Sequence, residues 1–184
     1  MIVRPKDMAS GLGDIANQRL PSTRNEKLEP PKHLISITQI RPHLYLSGFG
    51  FDCTNLQNAK KFTGVEYLEV PVEDTNIANV AQYFETVSKF IDDAKGNGSK
   101  CLVFCAAGVS RSAAFTLMYL VIKEGLSLKD AYNDKRPIIS PNAGFWQQMI
   151  DFESSLGRDP SVHLIRGRMA RPVPDVYLHR STAA

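Results

Sequence analysis

The chain has 184 residues and a formal net charge of +3, the size of one domain with tails and too short for two of ordinary size. Hydrophobic residues make up 43% and charged residues 22%, ordinary globular usage that excludes wholesale disorder and collagen-like or coiled-coil composition. The positive excess sits at the ends, six Lys/Arg against four Asp/Glu over 1–32 and five against two over 158–184, with no basic cluster interleaved with aromatics, so no nucleic-acid partner is expected.

Residues 1–32 mix Pro5, Pro21, Pro30 and Pro31 with polar residues and show no apolar period, which reads as a flexible N-terminal leader. Residues 33–157 form the expected domain. Its first strands are read at 34–40 and 44–48, with Arg41-Pro42 in the turn between them. Thr54 is a candidate cap for a short helix to residue 62. Residues 65–72 alternate with period two and meet Pro71, so they read as a strand that feeds a loop carrying Asp74. Apolar residues at 80, 84, 87, 90 and 91 predict an amphipathic helix over 78–94, ended by Gly96-Asn97-Gly98.

Lys100-Cys-Leu-Val-Phe-Cys105 is a short apolar run of the kind buried in a parallel sheet, and an almost wholly apolar helix follows over 112–123. Two more helices are predicted over 127–135 and 142–156, capped by Ser127 and Asn142. Residues 158–184 read as a solvated basic tail, Arg166, Arg168 and Arg171 included. Strands alternating with helices, followed by a helical C-terminal half, indicate an α/β protein.

The longest uncharged apolar run, 112–122, is well short of the ~20 residues that cross a bilayer, so no membrane span is expected. The start of the chain has no signal-peptide hydrophobic region, and the expectation is a cytoplasmic and/or nuclear protein. Oligomeric state cannot be read from the sequence. Cys53, Cys101 and Cys105 have the wrong parity for a disulfide framework and lack the spacing of a zinc site. Cys53 and Cys101 read as small buried hydrophobes.

Cys105 is different. It stands at a strand end, with Gly108 three positions on, Arg111 six positions on and a helix starting immediately after. A loop of that length turns its backbone N–H groups inward as a nest, the helix terminus adds partial positive charge, and an arginine pairs bidentately with phosphate oxygens. The same field favours the nucleophilic thiolate. Chance would place Arg and Gly at these offsets from one of three cysteines in only about 1% of sequences at average residue frequencies.

Cys105-Ala-Ala-Gly-Val-Ser-Arg-Ser112, with Arg136-Pro-Ile-Ile-Ser-Pro-Asn-Ala-Gly-Phe-Trp146 downstream, resembles the small atypical dual-specificity phosphatases of the cysteine-dependent tyrosine phosphatase superfamily. The resemblance runs from about residue 35 to 156 and implies that superfamily's three-layer fold, a central, mostly parallel sheet flanked by helices. It implies that Cys105 attacks phosphorus, that Arg111 and the amides of Ala106, Ala107, Gly108, Val109 and Ser110 hold the equatorial oxygens, and that Ser112 hydrogen-bonds the departing thiolate. Asp74 matches the family's general acid. No metal or cofactor is implied, and the implied partner is a phosphorylated protein substrate.

The chain departs from the family at two places. Phe104 stands where the family has a histidine whose hydrogen bonding orders the loop, and this predicts weakened rather than abolished chemistry. Residues 55–64 have room for little beyond one helix where the family has a helix, a strand and a loop, which leaves open whether a sheet strand is missing. The expected function is hydrolysis of phosphotyrosine and of phosphoserine or phosphothreonine. The rival reading is a pseudophosphatase-like module that holds phosphoproteins without turning them over.

Overall fold

The computed structural model describes residues 2–5, 37–48, 64–134, 139–166 and 171–182. The short helix expected up to residue 62, the compressed stretch before Gly64 and Cys53 lie outside them. Among the described residues a five-stranded sheet is formed by β1 (Ile2–Pro5), β2 (Thr38–Arg41), β3 (Leu44–Gly48), β4 (Val65–Leu68) and β5 (Cys101–Cys105), in the order β2-β3-β5-β1-β4. The helices flanking it are α1 (Phe84–Gly96), α2 (Arg111–Glu124), α3 (Leu128–Asn133) and α4 (Ala143–Ser155).

Two expectations about the sheet change. Ile2–Pro5, expected in a flexible leader, form an interior strand with Ile2 buried. β1 pairs with β4 over four residues and with β5 over two, antiparallel to both. The sheet is therefore mixed rather than mostly parallel, because β3–β5 is the one parallel pairing among the described strands. A strand from the start of the chain fills the inner place between β5 and β4, so the ladder groups there find partners, as buried backbone must.

Helix and strand ends follow local chemistry. β4 ends at Leu68 rather than 72, and Pro71, which lacks an N–H, cannot extend a ladder. The helix expected from 78 starts as a 3-10 turn at Ala81–Tyr83, and the side-chain oxygen of Gln148 on α4 accepts from the N–H groups of Val80 and Ala81. Ser127 and Asn142 cap as expected, accepting from Asp130 N and Phe145 N. The apolar α2 is buried along most of its length, which is why its sequence shows so little amphipathic periodicity.

The segment after α4 is more ordered than a solvated tail. Leu164–Arg166 (β6) pairs antiparallel with Pro172–Pro174 (β7), and a 3-10 turn follows over Asp175–Thr182. Val162 and Val176 are buried, and Tyr177 Oη accepts a 2.9 Å hydrogen bond from Trp146 Nε1. Arg166 and Arg171 remain exposed, and Arg168 lies outside the described residues.

Glu153 is a buried carboxylate that fastens this segment and α3 together. It accepts from Leu128 N at 2.7 Å, from Ser161 N at 2.8 Å and from the Ser161 hydroxyl. Glu153→Ala strips all three donors of their acceptor and is expected to cost on the order of 2–3 kcal/mol, measured as a lowered Tm by calorimetry.

Candidate active site

β5 runs parallel to β3 with Gly48 opposite Cys105, so the turn leaving β5 crosses directly over the end of β3. Only residues without a side chain fit there. A Cβ on Gly108, whose φ is +72°, would overlap the Gly48 nitrogen and the Ser47 carbonyl, and one on Gly48 would lie 2.7 Å from the Ala107 carbonyl. Gly108 thus has both a conformational and a steric reason to be glycine.

This contact folds the loop back on its first residue. Gly108 N donates to Cys105 Sγ at 3.2 Å, and the Ser112 hydroxyl, one residue into α2, lies 3.1 Å from the same sulfur. Thr116 ties Ser112 down by donating to its carbonyl at 2.9 Å. Arg111, the first residue of α2, donates through Nη1 to Val72 O at 3.3 Å, which orients its guanidinium towards the strand exit before Asp74. Its Nε is buried with no hydrogen-bond partner in the structure, 3.7 Å from Asp74 Oδ2. A buried guanidinium N–H without a hydrogen-bond acceptor, lining the same pocket as a thiol, suits an anion.

Ser110 stands at the N-cap of α2, but no side chain caps this helix. An N-cap serine ordinarily turns its oxygen onto the first-turn amides. Here the hydroxyl donates to Asp74 Oδ1 at 2.6 Å and accepts from Asn142 N at 3.3 Å. The amides of the first turn are thereby left without a side-chain cap, at a helix end where the dipole favours negative charge.

Asp74 is held from two sides, since Asn142 Nδ2 also donates to its Oδ1 at 2.9 Å. Asn142 reaches Thr75 O, and Gly144 N donates to Asn76 Oδ1 at 3.3 Å. A Cβ on Gly144 would collide with the Asn76 backbone, so the start of α4 packs flush on the loop that carries Asp74. The structure therefore brings together Cys105, Arg111, Ser112, Asp74 and the loop 106–110. Asn142, which its sequence position marks only as a helix cap, is also a clamp on Asp74. It does both jobs, Oδ1 for the helix and Nδ2 for the acid.

A pocket beside Cys105 is lined by Cys105, Ala106, Arg111 and Ser112, with Val70, Val72, Phe115 and Ile2 as apolar walls. Phe104, 7% exposed, contributes to the same lining. Burial pushes the Cys101 thiol at the other end of β5 up to about 12, in keeping with a structural cysteine.

Residues 38–155 match the family described as dual specificity phosphatase, catalytic domain. The chain belongs to this family. It is 39% identical over 119 residues to dual specificity protein phosphatase 18 of Pongo abelii, 63% of each chain being covered, so it spans less than two thirds of that relative's length. Among solved structures it is similar to the human tyrosine phosphatase-like serine/threonine/tyrosine-interacting protein, with 26% identity, a TM-score of 0.59, and 66% of this chain and 98% of that one covered. It is also similar to a mouse putative dual specificity phosphatase complexed with zinc tungstate, with 28% identity, a TM-score of 0.58, and 73% and 94% covered.

Gly108→Ala is expected to abolish binding of vanadate or phosphate, because the loop cannot keep its path over Gly48 with a methyl group at positive φ. Titration calorimetry with orthovanadate checks this, and circular dichroism confirms that the variant is folded.

Proposed function

We propose that this chain hydrolyses phosphate monoesters on phosphorylated proteins, at tyrosine and at serine or threonine, through a cysteinyl-phosphate intermediate. The observation that carries the reading is the placement of a thiol, an acceptorless buried guanidinium N–H and a clamped carboxyl around one loop. The tungstate bound to the mouse relative is a tetrahedral oxyanion of the same shape class.

In the first step Cys105 Sγ attacks phosphorus in line with the ester oxygen, the P–O bond breaks, and Asp74 delivers its proton to the leaving oxygen. Arg111 and the amides of Ala106, Ala107, Gly108, Val109 and Ser110 hold the three equatorial oxygens as charge builds on them. In the second step water attacks the phosphocysteine, Asp74 takes a proton from it, and the S–P bond breaks. Ser112 donates a hydrogen bond to the departing thiolate, consistent with its 3.1 Å approach to the sulfur. A nucleophile of this kind must stay reduced, which supports a cytoplasmic or nuclear location.

The rival reading, a module that binds phosphoproteins without turnover, is favoured by one residue. Phe104 cannot offer the hydrogen bond that the family's histidine gives the loop, and one structural neighbour is named as phosphatase-like. Every other chemical role has its residue, so we assign slow turnover rather than none.

Aryl phosphate hydrolysis on purified protein tests this. Cys105→Ser should remove turnover while vanadate or phosphate binding persists, and full turnover in that variant would refute the assignment of the nucleophile. Asp74→Ala should slow release of phenol-like leaving groups by roughly 10²-fold and of activated ones far less, since only the former need the proton. Phe104→His should raise both the hydrolysis rate and the rate of Cys105 alkylation at neutral pH. No change in either would favour the binding module.

A further inference from the structure

β1 lies between β5 and β4, and it is separated from the rest of the described sheet by residues 6–36. Its hold on the sheet is specific. Ile2 pairs with both Val103 on β5 and Leu68 on β4, and it is 1% exposed. Two residues on, and so on the same face, Arg4 sits opposite Glu66 and donates to its carboxylate at 2.7 Å. The same guanidinium donates to Phe90 O on α1 at 3.1 Å, lies 4.2 Å from the centre of the Phe90 ring and stands 3.6 Å from Asp93. Glu66 and Asp93 together favour its charged form. Few exposed ion pairs have this much company, and the stacking and carbonyl contacts are ones that lysine would not reproduce.

The strand also reaches the chemistry. Ile2 shares its face with Val103 and, two residues further along β5, with Cys105, and it lines the pocket beside Val70, Val72 and Arg111. We infer that the gap between β4 and β5 is a strand-binding site selective for an extended segment with an apolar residue and, two positions on, an arginine. The chain's own residues 2–5 occupy it, and that occupancy builds one wall of the catalytic pocket. Seating of the strand then controls turnover, a consequence that rests on the phosphatase reading above. The seating itself does not. Unseating leaves β4 and β5 with facing unpaired edges and opens the pocket wall beside the nucleophile.

Two measurements on the full chain test it. In Arg4→Cys/Glu66→Cys the two positions are direct antiparallel neighbours, within reach of a disulfide. Mild oxidation followed by peptide mapping should find that cross-link within one chain and should not find it in Arg4→Cys/Glu124→Cys. Its absence, equal yield in the control, or a cross-link formed only between two chains would overturn the assignment. Arg4→Glu sets a third carboxylate against Glu66 and Asp93. It should lower kcat/KM for an aryl phosphate on the order of tenfold or more and raise hydrogen exchange in β4 and β5 while α2 and α4 stay protected. Arg4→Glu/Glu66→Arg restores the cross-strand pair but not the contacts with Phe90 and Asp93, and should recover part of the loss. Wild-type rate and exchange in Arg4→Glu would refute control by the strand. If Arg4→Glu fails to fold, the cross-link decides. If the wild type proves inactive, the phosphatase reading fails while cross-link and exchange still report the seat.

Discussion

The close passage of the loop after β5 over the end of β3 is the constraint on which the site rests. Gly48 and Gly108 meet backbone to backbone, and the absence of both side chains lets the chain double back so that Gly108 N reaches Cys105 Sγ. Once the loop takes that path, α2 starts at Arg111 and Ser112 falls beside the sulfur. The proposed nucleophile, anion donors and thiolate partner therefore all depend on one packing contact.

The carboxyl is placed by a different logic. Asp74 sits on a loop with no regular structure to hold it, and a free loop would not keep an acid at a fixed distance from a substrate. Three residues supply the rigidity: Ser110 from the loop after β5, Asn142 from the start of α4, and Gly144, whose lack of a side chain lets α4 close on Asn76. Ser110 gives up its capping role to do this. Strong local preferences set aside in this way are a common mark of a working site, because the helix is held instead by its buried apolar body.

Away from the site, the same economy of few, well-buried polar contacts ties the periphery to the core. Gln148 begins the 3-10 turn before α1, Glu153 joins α3 to the stretch after α4, and Trp146 anchors Tyr177. All three side chains come from α4, so that helix organises both the acid loop and the C-terminal segment.

What the sequence determined by itself was local. The strand-loop-helix order around Cys105, the caps at Ser127 and Asn142, and the chemistry of the Cys-to-Arg loop all depend on residues a few positions apart, where spacing translates directly into geometry. Tertiary structure decided whatever depends on distant chain. Four residues, Ile-Val-Arg-Pro, are too few to show a period, so their place inside the sheet is visible only from the partners, Leu68, Val103, Glu66 and Phe90, that the fold brings to them. The hairpin of Leu164–Arg166 with Pro172–Pro174 is hidden for the same reason, and its neighbour Tyr177 is fixed by a tryptophan outside any local window. Asn142 reads as a cap because half of its side chain is one. Its other half acts on Asp74, on a loop far away in sequence, and only packing at Gly144 brings the two together.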